Sequence, residues 1–420
     1  MSVYIIRPKT SVAESLDLAS KKFTTESRQP QVEEVVDFWQ ENTVYKQIER
    51  WLEKANASNQ VSIYPHYYGI TGATVVEMPD DEAEMMRQEL PTASILRDRP
   101  IKLIQPLRRK SIQQLSREHT LSHMTPARNL GDRNLPKWHL EHINLIQRRA
   151  EGYQLNGEKI TVAVLDTGID SRHQEFQGRV SQSYKMNDDG TIEELRVPQN
   201  NDTDGHGTHI AGLICGRNIG VAPNTKLIDC LLLPQGIGKL SNLVFWLGWL
   251  GLKEQANVNI ANISAGIPEY FPLIQELIST LLLIGILPVC AVGNDGFNNH
   301  ISPGNCKNSL SVGATDSNRQ LAFFSGNGRL NINNQLYDVP YLVAPGVEVC
   351  SSVPHGGYEA LDGTSMATAI ASGVAALTLQ NNLNNNNNIT VGSLINQLRS
   401  NCMDLRKERE RQGAGLIQVP

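Results

Sequence analysis

Three residues, each in a glycine-rich setting, could together do nucleophilic chemistry. Asp166 lies in ITVAVLDTGID at Ile160–Asp170, His206 sits between glycines in DGHGTHIAG at Asp204–Gly212, and Ser365 follows Gly363 and Thr364 in DGTSMATAIASGVAALTL at Asp362–Leu379. The β-branched run before Asp166 reads as a buried parallel strand. That places the carboxylate at the strand's C-terminal edge, where the ligand and catalytic groups of open α/β sheets gather. Small and apolar residues follow His206 and Ser365 at helical spacing, so each should open a helix. Unpaired N–H groups and the positive dipole end at a helix start favour negative charge, which an oxyanion intermediate needs. Gly363 is expected to give the chain freedom to turn sharply before the serine. Seen alone, Ser365 would read as an N-cap. With an acid and a histidine at two further junctions, the parts of a nucleophilic hydrolase are present.

Other chemistries fit less well. An aspartic protease shares a proton between two carboxylates, and only one DTG occurs. His206 and His209 stand as HxxH without the glutamate of HExxH, which argues against zinc and for a structural His209. The stretch Gly236-Ile237-Gly238 is too short for a nucleotide loop. The cysteines at 215, 230, 290, 306, 350 and 402 lack CxxC spacing and suit reduced thiols.

The order Asp, His, Ser and the motifs DTG, HGTH and GTSMA resemble the subtilisin-like serine proteases. VCAVGNDG at Val289–Gly296 is similar to the family's oxyanion strand and loop, whose asparagine falls on Asn294. The resemblance runs from about Trp138 to the end, through GVAP at Gly220–Pro223, VAPG at Val343–Gly346 and GAGLIQV at Gly413–Val419. It implies an α/β fold with a doubly wound, mostly parallel sheet, and a serine endopeptidase working through an acyl-enzyme. Ser365 would attack, His206 would carry the proton, Asp166 would orient the imidazole, and Asn294 with the Ser365 N–H would hold the oxyanion. Substrate would add as a strand beside Gly236, Ile237 and Gly238 on one side and Ser264, Ala265 and Gly266 on the other. Ala291, Val292 and Gly293 would line the pocket for the residue before the cut, with a medium-sized apolar preference. No cofactor is implied. Leu213–Asn224 is too short for the calcium loop of many secreted relatives, so no metal is expected there. Ala369 and Ile370 replace the family's proline and histidine after GTSMA without loss of a chemical group.

The chain has 420 residues, 40% hydrophobic and 19% charged, enough for one large and one smaller globular domain. A net charge of −5 gives no reason to expect nucleic acid or an anionic membrane as partner. The start lacks an apolar signal-peptide core and no stretch has transmembrane length, so a cytoplasmic location is expected.

Ahead of the motifs, strands are expected at Val3–Arg7, Val61–Tyr68, Ala73–Met78 and Ser94–Leu103, and helices at Val32–Ala55 and Pro79–Leu90. Val36, Trp39, Val44, Ile48 and Trp51 form the expected buried side of the first helix. The order β-α-β-β-α-β is ferredoxin-like, and YGITGATVVEMPDDEAEMMRQEL at Tyr68–Leu90 resembles the inhibitory propeptides of subtilisin-like zymogens. Residues 1–105 are thus expected to be an inhibitory domain separate from the core, 106–135 an exposed linker with a processing site, and 136–420 the peptidase domain. The partners implied are a protein or peptide substrate and the chain's own N-terminal domain as intramolecular inhibitor. The alternative is a catalytically silent, permanently capped protein that binds peptides or a partner. In the large domain, strands are expected at Lys226–Leu233, Val258–Ser264 and Leu287–Val292, helices at Leu240–Gln255 and Tyr270–Leu283, a loop at Asn381–Asn388 and a last strand at Gly413–Val419.

Overall fold

The computed structural model describes residues 1–12, 28–64, 69–107, 109–111, 135–252, 257–385 and 389–420. The expected strand end at Pro65–Tyr68 and most of the linker, 112–134, lie outside the described residues.

At the N-terminus, β1 (Ser2–Pro8), β2 (Ser62–Ile63), β3 (Thr74–Met78) and β4 (Ala93–Arg97) form an antiparallel ferredoxin-like sheet in the order β2-β3-β1-β4. Alternation along β1 gives the sheet two apolar faces. Tyr4 and Ile6 join Ile48, Leu52, Val76, Met78 and Met86 in one cluster, while Ile5 and Val75 join Val35 and Trp39 in another. The helix expected over Val32–Ala55 is two, Gln29–Glu41 and Thr43–Ala57. Asn42 divides them, its side chain accepting from Val44 N and Tyr45 N as an N-cap. Each half can then serve a different face, so Val35, Tyr45 and Leu52 are buried whereas Val36, Val44 and Trp51 are only half-buried.

The second face does not end with this unit. Its cluster continues into Leu243, Val244, Trp246, Leu247 and Leu250 of the helix Leu240–Leu252, and into Leu281 and Ile284. The two units therefore share one apolar core. At Gly251 a Cβ would stand 2.1 Å from Ile70 Cδ1, so the contact is close enough to need a glycine. Asp98 adds a polar tie, accepting from Ser241 N (3.0 Å) and Ser241 Oγ (2.5 Å) at the start of that same helix.

The expected strand Ser94–Leu103 also divides. After β4 the chain leaves its own sheet at Asp98, and β5 (Pro100–Leu103) pairs only with strands of the large domain. A further strand, β6 (Arg109–Ser111), follows within what the sequence suggests is a solvated linker.

In the large domain β7 (Thr161–Asp166), β8 (Val180–Met186), β9 (Ile192–Leu195), β10 (Lys226–Leu231), β12 (Ile260–Ile263), β14 (Leu287–Ala291), β16 (Leu310–Thr315) and β19 (Leu342–Pro345) build one sheet, in the order β19-β16-β14-β12-β7-β10-β8-β9. All neighbours are parallel except β8 and β9. The strands β7, β12, β14, β16 and β19 are buried at every position, which is why they read as unbroken apolar runs. Smaller sheets hold β11 (Ile237–Lys239) with β5, β13 (Ala265–Pro268) and β15 (Ile301–Ser302), and β20 (Val349–Val353) with β21 (Gly357–Leu361) and β6. The helix Thr364–Asn384 runs through the core, buried from Thr364 to Gln380. It ends four residues into the asparagine-rich stretch expected as a loop, whose residues 386–388 lie outside the described ones. The expected last strand reduces to bridges of Leu416 to Val343 and Met403, because Gly413 and Gly415 take positive φ and break the extended run. No helix among the described residues is long and apolar enough to cross a membrane.

Trp39 is, with Trp246, one of the two largest fully buried side chains of the shared core, its indole N–H on Ile70 O at 3.1 Å. Trp39→Ala should lower stability by about 3–5 kcal/mol in urea titration, within a single transition. A separate early transition confined to the N-terminal unit would show that the shared cluster does not couple the two.

Candidate active site

Asp166 ends β7 at the centre of the sheet, and His206 opens the helix His206–Cys215. His206 Nδ1 donates to Asp166 Oδ1 at 2.8 Å, with both side chains fully buried. The same oxygen accepts Thr167 N at 2.8 Å. That contact selects the tautomer with hydrogen on Nδ1, and Nε2 has no hydrogen-bond partner among the described residues. The approach depends on two glycines. A Cβ on Gly207 would fall 2.1 Å from Gly168 O, and one on Gly168, at φ 98°, would fall 2.1 Å from Asn201 O.

Asp202, absent from the sequence reading, fastens these turns together. Its carboxylate accepts Thr167 Oγ1 (2.8 Å), Asp204 N (3.0 Å), Gly205 N (2.9 Å), Thr208 N (2.9 Å) and Thr208 Oγ1. Thr167 Oγ1 in turn accepts Gly207 N at 2.9 Å. An acid four residues before the histidine, in DTDGH, is the sequence signal of this cap. Burial raises the pKa of Asp202, against the donors from Thr208, Gly205 and Asp204. Deeper still, Asp229 of β10 accepts Ser183 Oγ (2.7 Å) and Ile169 N (3.2 Å). Burial pushes its pKa up to about 8, opposed by the Ser183 bond and reinforced by Asp202 and Asp166. An apolar strand pattern conceals such a residue, because nothing local marks it as different from its neighbours.

Ser365 is the second residue of the helix Thr364–Asn384 and is fully buried. Gly363 departs from the expectation of a special turn. Its φ of 171° is extended backbone open to any residue, and what the site requires is space, since a Cβ there would lie 3.2 Å from Asn294 Nδ2. Asn294 Oδ1 accepts Thr364 N and Thr364 Oγ1, each at 2.9 Å, which points its amide N–H₂ toward the cleft.

The chain's own residues occupy that cleft. β5 lies antiparallel between β11 and β13, with Lys102 opposite Ile237 and Gly266, and Leu103 opposite Ala265. Ile104 N donates to Ser264 O at 3.1 Å. Gly236 stands in the short turn before β11 and does not pair with β5; a Cβ there would lie 3.2 Å from Gln105 Nε2. The Ile104 side chain packs with Ala291 and Ile301. Ile301 was missed in the sequence because it lies on a different segment. Val292 does not line this pocket with its side chain, which points the other way along the strand into a cluster with Leu330 and Val339. Gly293 borders Ile301, whose Cγ2 would be 3.4 Å from a Cβ there. Ser365 Oγ is 3.4 Å from Ile104 O, while Asn294 Nδ2 donates to Gln105 O at 3.0 Å. Nucleophile and amide thus meet consecutive carbonyls. His209 bonds Glu359 O at 3.1 Å through Nε2, as a structural residue would. All six cysteines are free thiols.

Residues 157–415 match the model of the subtilase family, peptidase S8. The alkaline protease of Alkalihalobacillus alcalophilus is 37% identical over 235 residues, which cover 54% of this chain and 56% of that protein. Against that relative the chain thus spans little more than half the length. The intracellular serine protease of Paenibacillus polymyxa is 32% identical over 291 residues, covering 66% of this chain and 84% of that one. Among solved structures, a cold adapted subtilisin-like serine proteinase superposes with a TM-score of 0.53 at 29% identity, over 64% of this chain and 92% of that one.

The geometry makes two predictions. Gly207→Ala must separate the histidine helix from the Asp166 turn, and kcat for a peptide substrate should fall by about 10²-fold with KM little changed. An unchanged kcat would mean the close approach is dispensable. Asp229 keeps its proton in the fold up to about pH 8, whereas the unfolded chain releases it near pH 4, so stability should fall as pH rises between them. Denaturant titrations should show this slope, at most ~1.4 kcal/mol per pH unit, and Asp229→Asn should remove it.

Proposed function

The chain belongs to the subtilase family, and we propose that it is a serine endopeptidase, acting through an acyl-enzyme and made as a self-capped zymogen. The observations that support this reading are the buried Asp166–His206 pair at 2.8 Å and the chain's own Ile104 carbonyl 3.4 Å from Ser365 Oγ. Ser365 attacks the scissile carbonyl, His206 Nε2 takes its proton and returns it to the leaving amine, and Asp166 stabilises the imidazolium. Asn294 and the N–H at the helix start stabilise the oxyanion, the amide contributing roughly 10²–10³-fold.

Protein or peptide substrate would lie where β5 lies, between Ile237–Lys239 and Ala265–Gly266. Ile104 fits a pocket bounded by Ala291 and Ile301, which supports a medium-sized apolar residue before the cut and makes Ile104–Gln105 the bond presented first. In the capped arrangement Ser365 faces the Ile104 carbonyl while Asn294 polarises that of Gln105. No single carbonyl is both attacked and stabilised, so the resting chain is cut slowly, when the Ile104 carbonyl moves onto the Asn294 amide. The tether keeps this inhibitor at an effective concentration of order mM.

A catalytically silent, permanently capped protein is the second reading, favoured by the offset carbonyls and by the core that the N-terminal unit shares with the large domain. A serine-reactive probe separates the two, since only a working nucleophile is labelled in wild type and spared in Ser365→Ala.

Intact-mass spectrometry tests the zymogen. Wild type should be cut between Leu103 and Trp138, at Ile104–Gln105 by the present geometry, and Ser365→Ala should stay at full length with turnover lowered ~10⁶-fold. If both chains stay whole while wild type digests an added protein at full rate, the N-terminal unit is an accessory module and not an inhibitor.

A further inference from the structure

The chain is held on both sides of Ser365. Before it, Lys102 and Leu103 pair with Gly266 and Ala265. Beyond it, Leu107 N donates to Asp362 O at 3.0 Å, and antiparallel pairing follows with Arg109 opposite Leu361, Lys110 opposite Ala360 and Ser111 opposite Glu359. Between the two ladders, Ile104 O lies near Ser365 Oγ and Gln105 O accepts from the amide of Asn294.

We propose that the edge of β21 is a second substrate site, on the leaving-group side, which takes an extended basic segment beginning at the fifth residue after the cut. The inference rests on the peptidase reading above. β21 pairs with β20 on one side and, among the described residues, with β6 alone on the other. Once a substrate displaces the resident segment, that edge offers a row of unpaired N–H and C=O groups, a template that any extended chain can use. Strand addition selects backbone rather than sequence, so the chemical preference must come from the rim. Glu359 of β21 and Asp204 of the histidine loop line a cavity of about 370 Å³ there, with Asp202, His355 and Pro354. The strand paired with this edge reads Arg109, Lys110, Ser111, with Arg108 before it in the sequence. By charge alone, an acidic rim favours a basic guest in both affinity and rate of encounter.

The experiment uses the full-length wild-type chain and fluorogenic peptides with one common core through the third residue after the cut. One series ends there; the others continue through Arg-Arg-Lys-Ser, through alanines or through glutamates. The basic extension should raise kcat/KM about tenfold, mainly through KM, the alanine series less, and the glutamate series not at all. Glu359→Lys should reverse the order of the charged series. If the short peptide is cleaved and no extension changes KM, the inference fails and the peptidase reading stands. If no peptide is cleaved, the peptidase reading fails, and the edge is judged on the uncut Ser365→Ala chain by hydrogen exchange. There the amides of 109–111 and 357–361 should exchange slowly, and Arg109→Glu with Lys110→Glu should speed them at least about tenfold; unchanged exchange overturns the inference.

Discussion

The contact on which the site depends is the meeting of two turns, one ending β7 and one opening the histidine helix. The Asp166–His206 hydrogen bond exists only because the backbone of Gly207 can lie against Gly168 O, a distance that no side chain would tolerate. Asp202 holds that approach by accepting from Thr167, on the acid's turn, and from Thr208, on the histidine's helix. Asp202 accepts five hydrogen bonds at this junction, and Asp229 keeps its proton beneath it so that three carboxylates need not all be charged in one region.

A second constraint sets how the cleft is filled. Asp98 ends β4 and at the same time caps the helix Leu240–Leu252, so the chain enters the large domain at a determined point and in a determined direction. From there β5 has a place between β11 and β13 and little freedom to choose another register, because Ile101 and Leu103 go down into the shared core and Ile104 into the pocket of Ala291 and Ile301. The offset between the carbonyl near Ser365 and the one on Asn294 follows from this anchoring together with Leu107 on Asp362 beyond it. A peptide pinned at both ends cannot slide by one residue without giving up ladder bonds on one side. The shared apolar core adds to this, since the N-terminal unit cannot leave without taking Val35, Trp39 and Ile70 out of it.

What the sequence determined by itself was the class of fold and the candidate residues. Asp166, His206 and Ser365 stood out because each sits at a junction whose local pattern, an apolar strand or a small-residue helix bounded by glycine, predicts its own geometry, whereas Asn294 stood out only through the resemblance of Val289–Gly296 to the family's oxyanion loop. The parallel sheet was legible because strands buried on both faces read as continuous apolar runs. Tertiary structure decided everything that depends on which groups meet across the chain. Periodicity could not show that Asn42 splits one helix between two faces, that Asp98 divides one strand between two sheets, or that Val292 turns away from Ile104. Asp202, Asp229 and Ile301 were hidden for the same reason: their partners lie on other segments. An edge strand such as β21 is equally silent, because a free row of backbone groups is a property of the assembled sheet and has no residue type of its own.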